Sequence, residues 1–253
     1  MSSGVGARKQ ARLYGWLHSH QDAIVLAEPT MLLVHSPLLT SATWDALRSH
    51  LEAAGWRVAV LDLRPLVEST SFHAAVCTAA ATVTPGAPTV VVGHSRAGAY
   101  LPGIADAVGS EQLDVVFMDA RLPHPGTSWV GSLPAERATW LREIAVSGRL
   151  PRWDTWFPTA SLADVLPDPE QRQSVLDGIP ELPWQVVSEV LPTPGEAWDS
   201  AGHIYLQLSA AYRSTAEQAE ERGYRVRSLD AHHLAMVTHP AAVTDLLLSA
   251  LQP

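Results

Sequence analysis

The chain has 253 residues, 47% hydrophobic and 17% charged, which is too apolar for disorder and long enough for one well-cored domain carrying an insertion. A formal net charge of −9 argues against nucleic acid and anionic membranes as partners, because both need a basic face. Cys77 is the only cysteine, so no internal disulfide can form and a reducing cytoplasm is the expected setting.

In chain order, Met1 to Gly6 reads as a tail. Arg8, Lys9 and Arg12 precede no apolar run of signal-peptide length. No segment approaches the roughly 20 apolar residues that a membrane helix needs. A short amphipathic helix is expected over 7–20 and an edge strand over 23–27. Residues 31–35 read as a buried strand, followed by a helix over 43–54 that ends at Gly55. A strand over 57–63 leads to an Ala-rich helix over 72–83, in which Cys77 is a small core residue and not a nucleophile. Pro85, Gly86 and Pro88 make the turn into a strand over 89–93, and a helix runs from Ala99 towards Ala107. Further strands are expected over 114–118, 204–208 and 225–229, with helices over 214–222 and 241–251. Short apolar strands alternating with helices imply an α/β fold, with parallel βαβ units and reactive groups at the carboxyl ends of the strands.

The rhythm breaks between 123 and 199. Prolines punctuate this stretch, and it holds six of the nine tryptophans: Trp129, Trp140, Trp153, Trp156, Trp184 and Trp198. It reads as a helical cap over a core made of 1–122 and 200–253. Trp129, Trp140 and Trp156, with Pro37, are candidates to line a pocket for an apolar small molecule, although any one tryptophan can equally glue the cap to the core.

Thr89-Val90-Val91-Val92-Gly93-His94-Ser95-Arg96-Ala97-Gly98 places a buried strand directly before a serine flanked by small residues. A serine at a sharp, strained strand-to-helix turn leaves no room for side chains two positions away, where Gly93 and Ala97 stand. This is the nucleophile-elbow pattern, and the chain resembles the α/β-hydrolase superfamily over nearly its whole length. The resemblance implies a mostly parallel central sheet with helices on both faces and a cap inserted between strands. Serine is a weak nucleophile until a base takes its proton. The run His-Leu-Ala-Met-Val-Thr-His-Pro after the last strand is similar to the histidine loop of many bacterial members and points to His233, with His232 as runner-up. His94 and His35 are read as framework residues, and His239 as a helix-entry residue.

The acid of such a triad usually follows the penultimate strand, but Leu206 to Tyr212 carries no carboxylate and Glu217 reads as a surface residue. The strand Val115-Val116-Phe117-Met118 ends in Asp119, where some α/β-hydrolases, including a subset of haloalkane dehalogenases, place their acid. Asp119 is therefore the expected partner of His233. The oxyanion hole departs from the family's His-Gly-x, since the chain has His35-Ser36-Pro37 and Pro37 has no N–H. The donors expected are the backbone N–H groups of Arg96 and Leu38. The Arg96 side chain is placed on the helix exterior, with pairing to a substrate carboxylate as the alternative.

The function these residues imply is an esterase or thioesterase acting through an acyl-enzyme on Ser95. Its competitors are non-hydrolytic chemistry on the same scaffold (lyase, cyclase or epoxide opening on a secondary metabolite) and a silent binding module. No metal site and no cofactor are implied, because the histidines lack a metal-ligand spacing and the glycines lack the rest of a dinucleotide fingerprint. A homodimer is the oligomer considered.

Overall fold

The computed structural model describes residues 30–83, 88–156 and 159–252. The expected helix over 7–20, the edge strand over 23–27, and Pro85 and Gly86 of the expected turn lie outside the described residues.

The described residues form eight strands: β1 (Thr30–Val34), β2 (Arg57–Leu61), β3 (Val90–His94), β4 (Asp114–Met118), β5 (Arg149–Leu150), β6 (Leu182–Pro183), β7 (Gly202–Gln207) and β8 (Arg225–Ser228). Six build one sheet in the order β2-β1-β3-β4-β7-β8, and every pairing in it is parallel. Alternate residues of one strand feed opposite faces. Leu32, Val34, Val91, Val115, Phe117 and Tyr205 join one buried cluster, whereas Met31, Leu33, Val90, Val92, Val116 and Ile204 join the other. That two-sided burial is why the central strands read as continuous apolar runs. The edge strand β8 instead turns Arg227 and Ser228 to solvent.

Helices cover both faces. On one side lie α1 (Asp45–Ala53), α10 (Ala235–Thr238) and α11 (Pro240–Ala250), in mutual contact. On the other, α2 (Phe72–Val83) packs on α3 (Leu101–Val108). The sequence pattern places one helix over 43–54, but a 3-10 turn at Ser41–Trp44 precedes α1. α3 closes on Gly109, which takes the left-handed cap conformation (φ 61°) that costs a residue without a Cβ least.

Between β4 and β7 the chain forms α4 (Ala135–Ile144), α5 (Thr159–Val165), α6 (Pro169–Leu176), α7 (Trp184–Ser188) and α8 (Glu196–Ser200). This insertion is not wholly helical, because β5 and β6 pair antiparallel within it. Asp168 caps α6 by accepting from the N–H groups of Glu170 and Gln171, both at 2.9 Å, with Pro169 in the first turn. Two carboxylates moor the insertion to the core helices. Glu189 accepts from Ser71 Oγ (2.5 Å) and the His73 N–H (3.0 Å) at the start of α2. Asp106 on α3 accepts from the N–H groups of Gly195 (2.6 Å) and Trp198 (3.1 Å). No helix among the described residues is long and apolar enough to cross a membrane.

Candidate active site

β3 delivers Ser95 to the carboxyl edge of the sheet with φ 56°, in the left-handed region that side-chain-bearing residues rarely occupy. A 3-10 helix (Ser95–Tyr100) leaves at once and passes into α3. The sequence placed a helix from Ala99; the turn starts four residues earlier, and the tight 3-10 pitch is what keeps Ser95 at the helix mouth. Small residues are obligatory here. A Cβ on Gly93 would stand 2.8 Å from the Leu101 side chain, and one on Gly98 would collide with the Arg121 carbonyl. Because that second obstacle is backbone, Gly98→Ala is expected to cost about 1–3 kcal/mol, read as a lowered midpoint in thermal or denaturant unfolding. Ala97 is fully buried beside the turn.

Asp119 ends β4 in the same kind of conformation (φ 45°), which aspartate tolerates better than most residues. It is fully buried, and each lone-pair direction is used. Oδ1 accepts from the N–H groups of Leu208 (2.7 Å) and Ser209 (3.1 Å), and Oδ2 accepts from Ser209 Oγ (2.5 Å) and His233 Nδ1 (2.9 Å). The loop after β7, which has no carboxylate of its own, thus supplies donors to Asp119. With Nδ1–H given to Asp119, Nε2 of His233 is left as the proton acceptor.

Two rings pack against the imidazole. Tyr212 stacks on it (centroids 4.8 Å apart, 5° between planes) and the His94 ring lies against it at a tilt (4.4 Å, 38°). His94 Nε2 also donates to the His233 carbonyl (2.9 Å), and burial keeps this ring well below the ordinary imidazole range, hence neutral. His35 has a framework role too, donating from Nδ1 to the Ser36 carbonyl and accepting the Leu63 N–H at Nε2 (2.9 Å). His232, the alternative base, bonds Thr238 and the Leu234 N–H instead of Asp119. Glu217 is exposed on α9 (Arg213–Glu221).

Tyr212 is the residue that sequence reasoning missed. Its phenol lies within electrostatic reach of the Ser95 side chain, and burial raises its pKa so that it stays protonated. A direct Ser95–His233 hydrogen bond is not among those formed by the described residues. Catalytic contacts of this kind are often long before substrate arrives. If the stacked ring fixes the base, Tyr212→Ala lowers kcat about 10²-fold, since a misplacement of order 1 Å costs that much, whereas Tyr212→Phe keeps most of that loss from appearing. Steady-state kinetics of the two variants separates ring from hydroxyl.

The two N–H groups expected as oxyanion donors sit in unequal settings. The Arg96 N–H belongs to the first helical turn, where backbone donors have no intrahelical partner. The Leu38 N–H is not free as expected. Ser36 Oγ accepts from it at 3.3 Å, while Pro37 and Leu38 sit in a turn closed by the Leu39 N–H on the Ser36 carbonyl (2.9 Å). Pro37 is buried in that turn. The expectation for the Arg96 side chain is also corrected. It is 8% exposed, with its guanidinium 4.1 Å from the Trp129 ring centre. Trp129 therefore reaches the elbow. Trp140 and Trp156 make a ring contact with each other (5.6 Å, 82°), Trp156 gives its N–H to the Pro151 carbonyl, and both pack against the buried cluster that includes Trp129.

Comparisons with known proteins agree with this architecture. An extracellular alpha/beta-hydrolase from a Paenibacillus species aligns with a TM-score of 0.65 and 20% identity, covering 88% of this chain and 98% of that one. Polyneuridine aldehyde esterase aligns at 0.64 and 18%, covering 89% and 100%. A methylesterase from Arabidopsis aligns at 0.63 and 14%, covering 88% and 98%. A comparison with curated proteins finds no match. The sequence model of the alpha/beta hydrolase family matches residues 31–246. Strand order, elbow and sequence match agree: the chain belongs to the alpha/beta hydrolase family.

Proposed function

We propose that the protein is a serine esterase that cleaves a medium-sized, largely apolar small-molecule ester through an acyl-enzyme on Ser95. The observation that carries this reading is the 2.9 Å contact between His233 Nδ1 and Asp119 Oδ2, beneath a serine held at φ 56°. In the reaction, His233 Nε2 takes the serine proton. Ser95 Oγ attacks the carbonyl, and the developing oxyanion is received by the Arg96 N–H. Leu38 contributes the second N–H by exchanging its long bond to Ser36 for the oxyanion. His233 then protonates the departing alcohol, and water repeats the sequence to release the acid. Trp129 supplies an apolar wall. The printed names of the structural neighbours, an esterase and a methylesterase among them, support ester cleavage in kind.

One observation favours a second reading, non-hydrolytic chemistry on the same groups: one oxyanion donor is already engaged by Ser36. Incubation with a fluorophosphonate, followed by assays on p-nitrophenyl esters of graded chain length, decides between them. Labelling of Ser95 with ester turnover is expected. Labelling without turnover supports the non-hydrolytic reading, and absence of labelling overturns both.

A further inference from the structure

Arg96 follows the nucleophile and is more than nine-tenths buried. Its one close partner is the face of Trp129, at 4.1 Å, and a π face satisfies none of the guanidinium's five N–H donors. Other polar groups in electrostatic reach include the Tyr100 and Tyr212 phenols, the His124 ring and the guanidinium of Arg121, which lies 5.4 Å over the Tyr212 ring. Among the described residues, neither arginine has a carboxylate within ion-pair distance, although the chain carries nine more negative than positive formal charges. Two arginines within the insertion do find acids: Arg149 pairs with Glu68 at 2.7 Å and Arg152 with Asp154 at 2.9 Å.

A buried, unpaired guanidinium is costly to keep, and burial together with Arg121 pulls its pKa down to about 9, so it is still cationic at neutral pH. The fold therefore holds a largely buried cation beside the serine with no ion pair among the described residues. We infer that Arg96, supported by Arg121, forms a subsite for a carboxylate on the substrate, so that the preferred ester is one whose acyl or alcohol part also bears a carboxylate. A planar guanidinium fork matches a carboxylate in two parallel N–H···O bonds, and the flat Trp129 ring holds the plane of that fork. Neither the buried cation nor its lack of an acid is required by acyl transfer itself, which needs only the residue's backbone N–H.

This inference rests on the esterase reading, and the experiment keeps the two apart. Fluorophosphonate labelling of Ser95 first establishes the nucleophile in the wild type and in Arg96→Met. Then kcat/KM is measured on two matched pairs: p-nitrophenyl hemiglutarate against p-nitrophenyl pentanoate for the acyl side, and 3-carboxyphenyl butyrate against phenyl butyrate for the alcohol side. The wild type is expected to prefer the carboxylate member of one pair by about 10- to 100-fold, the range of a charge-assisted bidentate contact. Arg96→Met is expected to lower that ratio at least tenfold, mainly through KM, whatever happens to the neutral ester. Arg96→Lys, which keeps the charge and loses the fork, should recover part of the ratio. A labelled enzyme that prefers the neutral member of both pairs, or a ratio unchanged in Arg96→Met, overturns the subsite and leaves the esterase reading standing. Failure to label Ser95 overturns both.

Discussion

Asp119→Asn is expected to leave a folded chain whose kcat on an ester substrate falls by about 10⁴. The reason is the direction of each hydrogen bond. Asp119 now receives four donors and gives none, and the one from His233 Nδ1 leaves Nε2 without a proton. An asparagine keeps an oxygen for the Leu208 and Ser209 N–H groups. Its amide then meets His233 with N–H bonds, which forces Nδ1 to accept and moves the ring proton to Nε2. A histidine protonated there cannot take the proton of Ser95. Asparagine also tolerates φ 45°, so the backbone gives no cause for unfolding. Circular dichroism and steady-state kinetics check the two halves. A loss below tenfold in a folded variant would mean that another group polarises His233.

The second large effect concerns the nucleophile and separates activity from stability. Both Ser95→Ala and Ser95→Gly should reduce turnover by roughly 10⁶, the loss seen when a triad nucleophile is removed. Their stabilities should differ in a direction opposite to the ordinary rule. In an unstrained position glycine is the less stable choice, because it has more conformational freedom to lose. At φ 56° alanine retains the steric strain and glycine relieves it, so Ser95→Gly should be the more stable of the two by about 1 kcal/mol. For a chain of this length that corresponds to roughly 2–4 °C in Tm. If Ser95→Ala is the more stable variant, the serine is not held in a strained turn, and the elbow geometry is refuted independently of any substrate.

The elbow was legible in the sequence because its determinants are local. An apolar run before Gly93, the serine and the small residues after it leave little choice of backbone. Asp119 was legible for a different reason: Leu206 to Tyr212, where the resemblance places the usual acid, lacks one, and Asp119 follows the strand after the elbow helix, where some members of the family carry theirs. The identity of the base followed from the chain position of His233 past β8 and from a resemblance, not from its contacts. Tyr212 could not be read in the same way. Its ring and hydroxyl matter only because β7 and β4 are neighbours and the loop after β7 folds across the serine. The burial of Arg96 was misjudged because a residue one position into a helix is ordinarily solvated, and what covers it is Trp129, brought over by the insertion. The contacts of Trp140 and Trp156 likewise depend on how the insertion packs, which its tryptophan content does not determine.

The convergence of Ser95, His233 and Asp119 is tested most directly by a crystal structure of the protein after reaction with a small fluorophosphonate. The expected adduct lies on Ser95 Oγ, its phosphonyl oxygen receives the Arg96 N–H, and His233 Nε2 stands within hydrogen-bond distance of the adduct while Nδ1 stays on Asp119. An adduct on any other residue, or a His233 ring that has no contact with the phosphonylated serine, contradicts the mechanism.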